Sequence, residues 1–337
     1  MSKNPPTLKD VAELAGVSRM AVSTVLNNSL STVRVSQTTR ARILKAATDL
    51  GYQPDVTARS LRLQRTDTIG FYNGHGYIDL MDPFAPTIFL GLQSACASFR
   101  NHLLLYNGLH LQDQAEVLMK LRSNKADGVV IWPVPRDAEL IQLLGEAAKP
   151  AIQFASSYPG VPGVVTDDAV GARLLAEHLA DSGHRFVLYR RGVELLDSEA
   201  ARFQAFTEVA AERGMILRAT NPADRFDRLT PEEEAIIRAH GGPAGITAIA
   251  CWHDASAAQV MRFCAQEGIR APEDVALTGY DGFSWPEFPE NRLLTTVVVD
   301  WEQIAETCVG LLIERVRGGD IPEQTVIPGA LRIGGTT

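Results

Sequence analysis

Two groups of residues in this 337-residue chain have types and spacing suited to molecular recognition. The first is Ser18, Arg19, Met20, Ser23, Thr24 and Asn27, within the stretch TLKDVAELAGVSRMAVSTVLN. Small polar groups and one guanidinium on an exposed helix can read base edges in a DNA major groove or hold phosphates. The second group lies just after expected strand ends: Tyr72 and Asn73, Trp132, Asp167 and Asp168, His253 and Asp254, and Asp281, with Trp285 just beyond. Aromatic faces stack on the CH faces of a sugar ring, and carboxylates fix hydroxyls. No nucleophile and base are assembled. Gly74-His75-Gly76 is only a GxG that opens no helix, and there is no P-loop and no GxSxG. His178 and His184 suit structure rather than metal. No catalytic, metal or cofactor role is assigned.

The first group needs two short helices to position it. The spacing predicts a helix over 8–15, with Thr7 and Asp10 at capping-box spacing and Leu8, Val11, Ala12 and Ala15 on its buried face. Gly16 breaks it and can adopt positive φ. Ser18 then caps a second helix over 19–26 that buries Ala21, Val22, Val25 and Leu26. Ser36 opens a third helix to Leu50, with an apolar stripe of Ile43, Leu44, Ala47 and Leu50, and Gly51 ends it. Asp55 can cap a short fourth helix through Leu63, too short to stand alone in water. That piece is either a plain linker or a segment that folds on DNA. By itself the first pair could also be an ordinary helical hairpin. Charge favours the nucleic-acid reading. The first 65 residues hold ten lysines and arginines against four acids, a balance of +6, so the remainder carries −14 of the net −8. A basic head on an acidic body points to nucleic acid at the head alone.

The second group needs a β/α body. From Thr68 onward, strands are expected over 68–72, 102–106, 128–132, 151–154, 164–165, 186–189, 216–218, 248–250 and 276–279. Helices alternate with them over 86–99, 112–124, 138–147, 169–182, 200–213, 231–239 and 255–267, the first presenting Ile88, Leu92, Ala95 and Phe99. This alternation implies parallel sheets with covering helices. About 270 residues exceed one comfortable core, so two lobes with a cleft are expected, with ligand at the carboxyl ends of the strands. No apolar run reaches the roughly 18 residues of a membrane helix, and the start lacks a signal-peptide pattern. Cys96, Cys251, Cys264 and Cys308 are far apart and suit a reducing, cytoplasmic setting.

The residues now resemble a known family, the LacI/GalR transcriptional regulators (the lactose repressor family). TLKDVAELAGVS with VSTVLN resembles its helix-turn-helix. VSQTTRARILKAATDLGYQPD resembles its third helix and hinge entry, and ARSL its hinge helix. ARLLAEHLADSGHR, GYD, LLTTV and LLIERVRGGDIP follow in family order. The resemblance implies an N-terminal all-α helix-turn-helix DNA-binding head over 1–54, a hinge helix and linker over 55–66, and a two-lobed α/β periplasmic-binding-protein-like core with parallel sheets over 67–337. The N-lobe is expected over 67–163 plus 296–322, and the C-lobe over 164–295 plus 323–337. It also implies a homodimer on palindromic double-stranded operator DNA. No heptad-rich tail follows the last expected strand, so a dimer is expected rather than a tail-joined tetramer.

By resemblance, Ser18, Arg19, Met20, Ser23, Thr24 and Asn27 contact DNA, with Arg19 and Met20 reading bases and Ser18 and Asn27 positioning. Ala58 and Leu61 fall on minor-groove hinge positions, and Leu61 matches a leucine lever that wedges a base step at a cost of about a few kcal/mol. Phe84 matches a pocket phenylalanine, and Arg202 matches an arginine that commonly meets ligand. The ligand set is then Tyr72, Asn73, Phe84, Trp132, Asp167, Arg202, His253, Asp281 and Trp285. Phe84 and Trp132 can equally be core. Asp254 can instead cap the helix at Ala255, the preferred reading, and Asp168 can likewise cap. Four features depart from the family pattern: a longer loop over 28–35, Asp55 where asparagine is frequent, His253 in place of asparagine before Asp254, and a longer connection over 72–84. The function implied is repression of carbohydrate-utilisation genes under allosteric control by a small ligand, a sugar. The alternatives are a sugar-binding module without a DNA role, a regulator responding to a nucleoside, purine or other non-sugar ligand, and an α/β enzyme acting on sugars.

Overall fold

In the computed structural model the chain forms two compact units, Met1–Thr66 and Asp67–Thr337. The residues described are 6–26, 35–53, 60, 63–76, 83–106, 112–147, 149–192, 196–221, 228–242 and 245–337. Expectations for Asn27, for the loop over 28–35 except Val35, and for Asp55, Ala58 and Leu61 therefore lie outside the described residues.

The first unit contains α1 (Leu8–Ala15), α2 (Arg19–Leu26) and α3 (Gln37–Leu50). The Thr7–Asp10 capping box forms, and Gly16 closes α1 in the left-handed conformation. The Ser18 hydroxyl oxygen accepts from the Ala21 N–H at 3.2 Å and opens α2. Ser36 caps α3, and Gly51 ends it at φ 63°. Val11, Ala12 and Ala15 pack on Val22 and Val25 and on Ile43, Ala46 and Ala47. Leu44 and Leu50 are exposed, contrary to the expected stripe. Leu44 points about 100° away from Ile43 around the helix, and Ala46 takes the inward position. Tyr52 and Leu26 pack on this core half-buried.

The second unit holds two six-stranded sheets. The first joins β1 (Thr68–Asn73), β2 (His102–Tyr106), β3 (Gly128–Trp132), β4 (Ala151–Phe154), β5 (Gly163–Thr166) and β11 (Gln324–Ile327) in the order β11-β5-β4-β3-β1-β2. All its pairings are parallel. The second joins β6 (Phe186–Arg190), β7 (Ile216–Ala219), β8 (Ala248–Cys251), β9 (Ala276–Asp281), β10 (Thr295–Val298) and β12 (Ala330–Arg332) in the order β12-β10-β9-β8-β6-β7. Only the β10–β12 edge pair is antiparallel. The intervening helices are α4 (Phe84–Ser98), α5 (Gln114–Leu121), α6 (Ala138–Glu146), α7 (Asp168–Asp181), α8 (Asp197–Glu212), α9 (Pro231–Arg238), α10 (Asp254–Glu267) and α11 (Trp301–Val316). The helix α11 packs on α4 and on β3, β4 and β5, so it belongs to the first lobe.

The chain crosses between lobes three times: after β5, after β10 and between β11 and β12. These pairings correct the expected lobe boundaries. Gly163–Thr166 pairs with β4 and β11 and stays in the first lobe. Thr295–Val298 pairs with β9 and lies in the second, whereas Gln324–Ile327 returns to the first. One apolar cluster runs through both lobes, from Phe71, Ile88 and Phe154 to Val187, Tyr189 and Phe206. Phe99 is exposed rather than on the buried face of α4, because the helix ends before it and Cys96 fills the inward position.

Candidate functional site

On the head, α2 divides as its periodicity requires. Ala21, Val22 and Val25 face the core. Arg19 and Met20 are exposed, Met20 at 64%, and Ser23 and Thr24 are half-buried beside them. The Thr24 hydroxyl donates to the Met20 carbonyl at 2.8 Å, which fixes its rotamer. Ser18 uses its oxygen as a cap and keeps its O–H as a donor. The result is a rigid helix whose outer face offers one cation, one flexible apolar group and small hydroxyls.

In the second unit, Arg202 is the centre of the second lobe's strand-end cluster. It is buried on α8. Its Nε donates to Asp168 at 2.6 Å, and one terminal nitrogen donates to the Trp252 carbonyl at 2.7 Å. The other terminal nitrogen lies 3.5 Å from an Asp281 oxygen. The guanidinium carbon stands 3.6 Å from the Tyr280 ring centroid, a cation–π contact. Burial opposes its charge, but Asp168 and Asp281 outweigh burial and hold Arg202 firmly protonated. Burial pushes the Asp168 carboxyl up against the pull of Arg202.

Asp281 ends β9 at φ 107°, a backbone conformation costing about 1–3 kcal/mol for a side chain with a Cβ. Gly282 follows at φ 89°, where a Cβ would sit 2.8 Å from the Val298 Cα. Asp254 holds this turn. Its Oδ2 accepts from the Gly282 and Phe283 N–H groups, both at 2.7 Å, and its Oδ1 accepts from the Thr296 hydroxyl at 2.6 Å. Asp254 is fully buried. Burial pushes its carboxyl up to about 7, with the hydrogen bonds from Thr296, Phe283 and Gly282 pulling the other way.

The first lobe contributes aromatic faces. Phe84, at the start of α4, meets Trp132 at 5.3 Å, Trp301 at 4.7 Å and, across the lobes, Phe283 at 5.6 Å, all edge-to-face. His75 stacks obliquely on Trp132 at 4.3 Å. Burial and then Arg136 draw its imidazole down to about 4, so it is neutral at pH 7.

Several sequence-based placements change. Tyr72 faces away from this cluster. Strand alternation sends Ile69 and Phe71 one way and Tyr72 the other, where its hydroxyl donates to buried Asp137 at 3.0 Å. Asn73 ends β1, and its Oδ1 accepts from the His75 N–H at 3.0 Å, shaping that turn. Asp167, not Asp168, caps α7, accepting from Val170 N–H at 3.0 Å. His253, not Asp254, caps α10 through Nδ1, which accepts from Ser256 N–H at 3.0 Å. That places its proton on Nε2, and burial draws the imidazole down to about 3. Trp285 packs against the second lobe's outer core, apart from Phe84 and Phe283. Trp301 and Phe283 are additions. Trp301 follows the run TTVVVD, whose strand end would have exposed it to the same rule.

The carboxylates of Asp168 and Asp281 are engaged by Arg202, and the His75 and His253 imidazoles are neutral at pH 7. Among the described residues no cluster of His, Cys, Asp or Glu is arranged to hold a metal, and no helix is long and apolar enough to cross a membrane.

A helix-turn-helix head joined in one chain to a two-lobed β/α body defines a transcriptional regulator. Residues 7–55 match the bacterial regulatory proteins of the lacI family, and residues 176–337 match the periplasmic binding protein-like domain. The transcriptional regulator GalR of Escherichia coli K12 is 30% identical over 92% of this chain and 90% of its own length. The transcriptional repressor PurR of Photobacterium profundum is 28% identical over 92% of each. Among solved structures, the Lac repressor dimer bound to operator and the anti-inducer ONPF shares the fold, with a TM-score of 0.80, 22% identity and 99% of each chain covered. The CelR–cellobiose complex gives a TM-score of 0.66 and 26% identity over 98% of this chain and 100% of that one. The chain belongs to the lacI family of bacterial regulatory proteins.

Proposed function

We propose that this regulator represses carbohydrate-utilisation genes by binding a two-fold symmetric operator as a homodimer, and that a saccharide in the interlobe cleft controls its affinity. The observation that carries the ligand half is the pairing of the Phe84–Trp132–Trp301 faces with carboxylates fixed on Arg202. Aromatic faces pack on a pyranose, and fixed acceptors orient its hydroxyls. The exposed Arg19 and Met20 on α2 and the +6 charge of the first 65 residues support the DNA half. The CelR structure contains cellobiose and the Lac repressor structure contains operator, which fits both halves. The 28% identity to a PurR repressor supports a second reading, in which the same aromatic faces stack on a purine. Binding, not turnover, is assigned to the cleft, since among the described residues no nucleophile there stands beside a base.

In this scheme Ser18, Arg19, Met20, Ser23 and Thr24 touch DNA, and Phe84, Trp132, Arg202 and Asp281 touch the effector. His253, Asp167 and Asn73 shape the walls. An effector acts only through different affinities for the DNA-competent and incompetent states. The test is an operator titration by anisotropy with and without a saturating saccharide, repeated across salt. The expected result is an effector-dependent affinity that falls steeply with salt. Identical isotherms at every effector concentration refute the allosteric half, and a salt-independent affinity refutes the DNA half.

A further inference from the structure

We infer that the cleft selects against negatively charged ligands, and that Asp168 is the specificity-determining residue that makes it do so. This rests on the effector site proposed above and narrows its ligand to an uncharged, donor-rich molecule.

The inference comes from how Arg202 is consumed. A guanidinium at a ligand site ordinarily presents a two-pronged donor edge to carboxylate or phosphate. Here Nε is spent on Asp168 at 2.6 Å, and one terminal nitrogen on the Trp252 carbonyl at 2.7 Å. The other lies 3.5 Å from Asp281, and one planar face rests on Tyr280. The side chain is 5% exposed, against 16% for Asp168 and 12% for Asp281. The carboxylates are therefore the more accessible groups, and they present acceptors. One guanidinium facing two carboxylates leaves no positive charge for an anion to meet.

Among the described residues the other cations do not alter the balance: Arg332, on β12, acts on Asp254 and not on Asp168. Arg190, at the end of β6, is buried against Glu233 at 3.0 Å, and Arg191 pairs with Glu199 at 2.9 Å. On the first lobe, Arg136 is exposed and donates to the Gly74 carbonyl at 2.8 Å, with buried Asp137 next to it in the chain. His75 and His253 are neutral at pH 7. An anion entering here would lose its water shell without gaining a partner, a penalty of the kind that makes buried unpaired charge rare. A ligand rich in hydroxyl donors loses nothing comparable, because fixed acceptors receive it.

The test uses the full-length protein and three matched pairs in calorimetry at pH 7: glucose with glucuronate, glucose with glucose 6-phosphate, and adenosine with AMP. The expected result is that within any pair that binds, the anionic member is weaker by at least about tenfold. In Asp168→Asn the penalty against glucuronate shrinks several-fold, because the Nε edge of Arg202 loses its charged partner. Asp281→Asn, a second variant, shifts the discrimination in the same direction if Asp168→Asn folds poorly. An anionic member that binds the wild type as well as its neutral partner overturns the inference. Undiminished discrimination in both variants overturns the assignment to these carboxylates. Binding of adenosine but not AMP, with no sugar bound, upholds the charge rule and refutes the saccharide reading. A panel in which nothing binds refutes the effector site and this inference with it.

Discussion

Asp254 is the acceptor for a strained turn, and removing it has a calculable cost. In Asp254→Ala the half-buried N–H groups of Gly282 and Phe283 lose their common acceptor. At about 1–3 kcal/mol for each orphaned donor, the loss is about 2–6 kcal/mol. Asp254→Asn is milder, since one amide oxygen can serve both N–H groups while the amide nitrogen turns to the Thr296 hydroxyl. The pH dependence separates the two effects. The folded carboxyl titrates near 7 and the free one near 3.8. Between those values the folded state retains a proton that the unfolded state has released, so this group's contribution to stability falls as pH rises from about 4 to 7 and is level above. The full excursion is about 4 kcal/mol. His253 next door has the opposite slope. Its folded value near 3 lies below 6.5, so stability falls as pH drops through that interval. Only the difference between wild type and Asp254→Asn isolates the carboxylate. Urea denaturation of both at pH 5 and pH 8 is the assay. The wild type should lose ground to the variant between the two, by about 3 kcal/mol, because only the part of the excursion from pH 5 to 7 falls inside this window. A stability difference that does not change with pH refutes the claim that burial raises the Asp254 carboxyl.

Three further outcomes are expected. Arg190→Met strands Glu233 without its partner in the second lobe and should cost about 3–5 kcal/mol, with the double variant Arg190→Met/Glu233→Leu recovering most of it in thermal unfolding. Gly171→Ala places a Cβ 2.2 Å from the Tyr280 hydroxyl oxygen. The overpacking cost of about 1–3 kcal/mol exceeds the helix-propensity gain of about 1 kcal/mol, so stability should drop, and effector affinity should fall as Tyr280 shifts from beneath Arg202. Arg19→Ala on α2 should weaken operator binding and reduce the slope of log affinity against log salt by about one if Arg19 meets phosphate, or relax sequence preference at about 1–3 kcal/mol if it meets a base; retention of both properties refutes its place in the interface.

The fold was legible because its signals are local. Thr7 with Asp10, Ser18, Ser36 and the left-handed glycines at 16 and 51 mark the head helices at the observed residues. The β/α alternation marks the body, with element ends shifted by a few residues at most places. Lobe membership was not legible. Gly163–Thr166 and Thr295–Val298 are short apolar runs whose sheet is set by distant partners, Gln324–Ile327 in one case and Ala276–Asp281 in the other. Adjacent polar residues defeated the site reading in the same way. Asp167 and Asp168 can each cap a helix, and only the turn before α7 decides which carboxylate reaches the Val170 N–H and which reaches Arg202. Histidine is an uncommon N-cap, so Asp254 drew that role when His253 performs it. For Tyr72, period-two alternation from Phe71 already turns the side chain away.

The pairing of Gln324–Ile327 with Gly163–Thr166 has a consequence for biosynthesis. Roughly 160 residues separate these neighbours. At about 5–20 residues per second on the ribosome, β5 emerges roughly 10–30 s before the strand that closes its outer edge. The helix α11, which covers β3, β4 and β5, is also made late. For that interval the nascent first lobe exposes a bare strand border and an uncovered apolar face, a template for pairing with other nascent chains. Coding order thus makes completion of the first lobe wait on β11, which is made after every second-lobe strand but β12, and no single cut in the gene separates one finished lobe from the other.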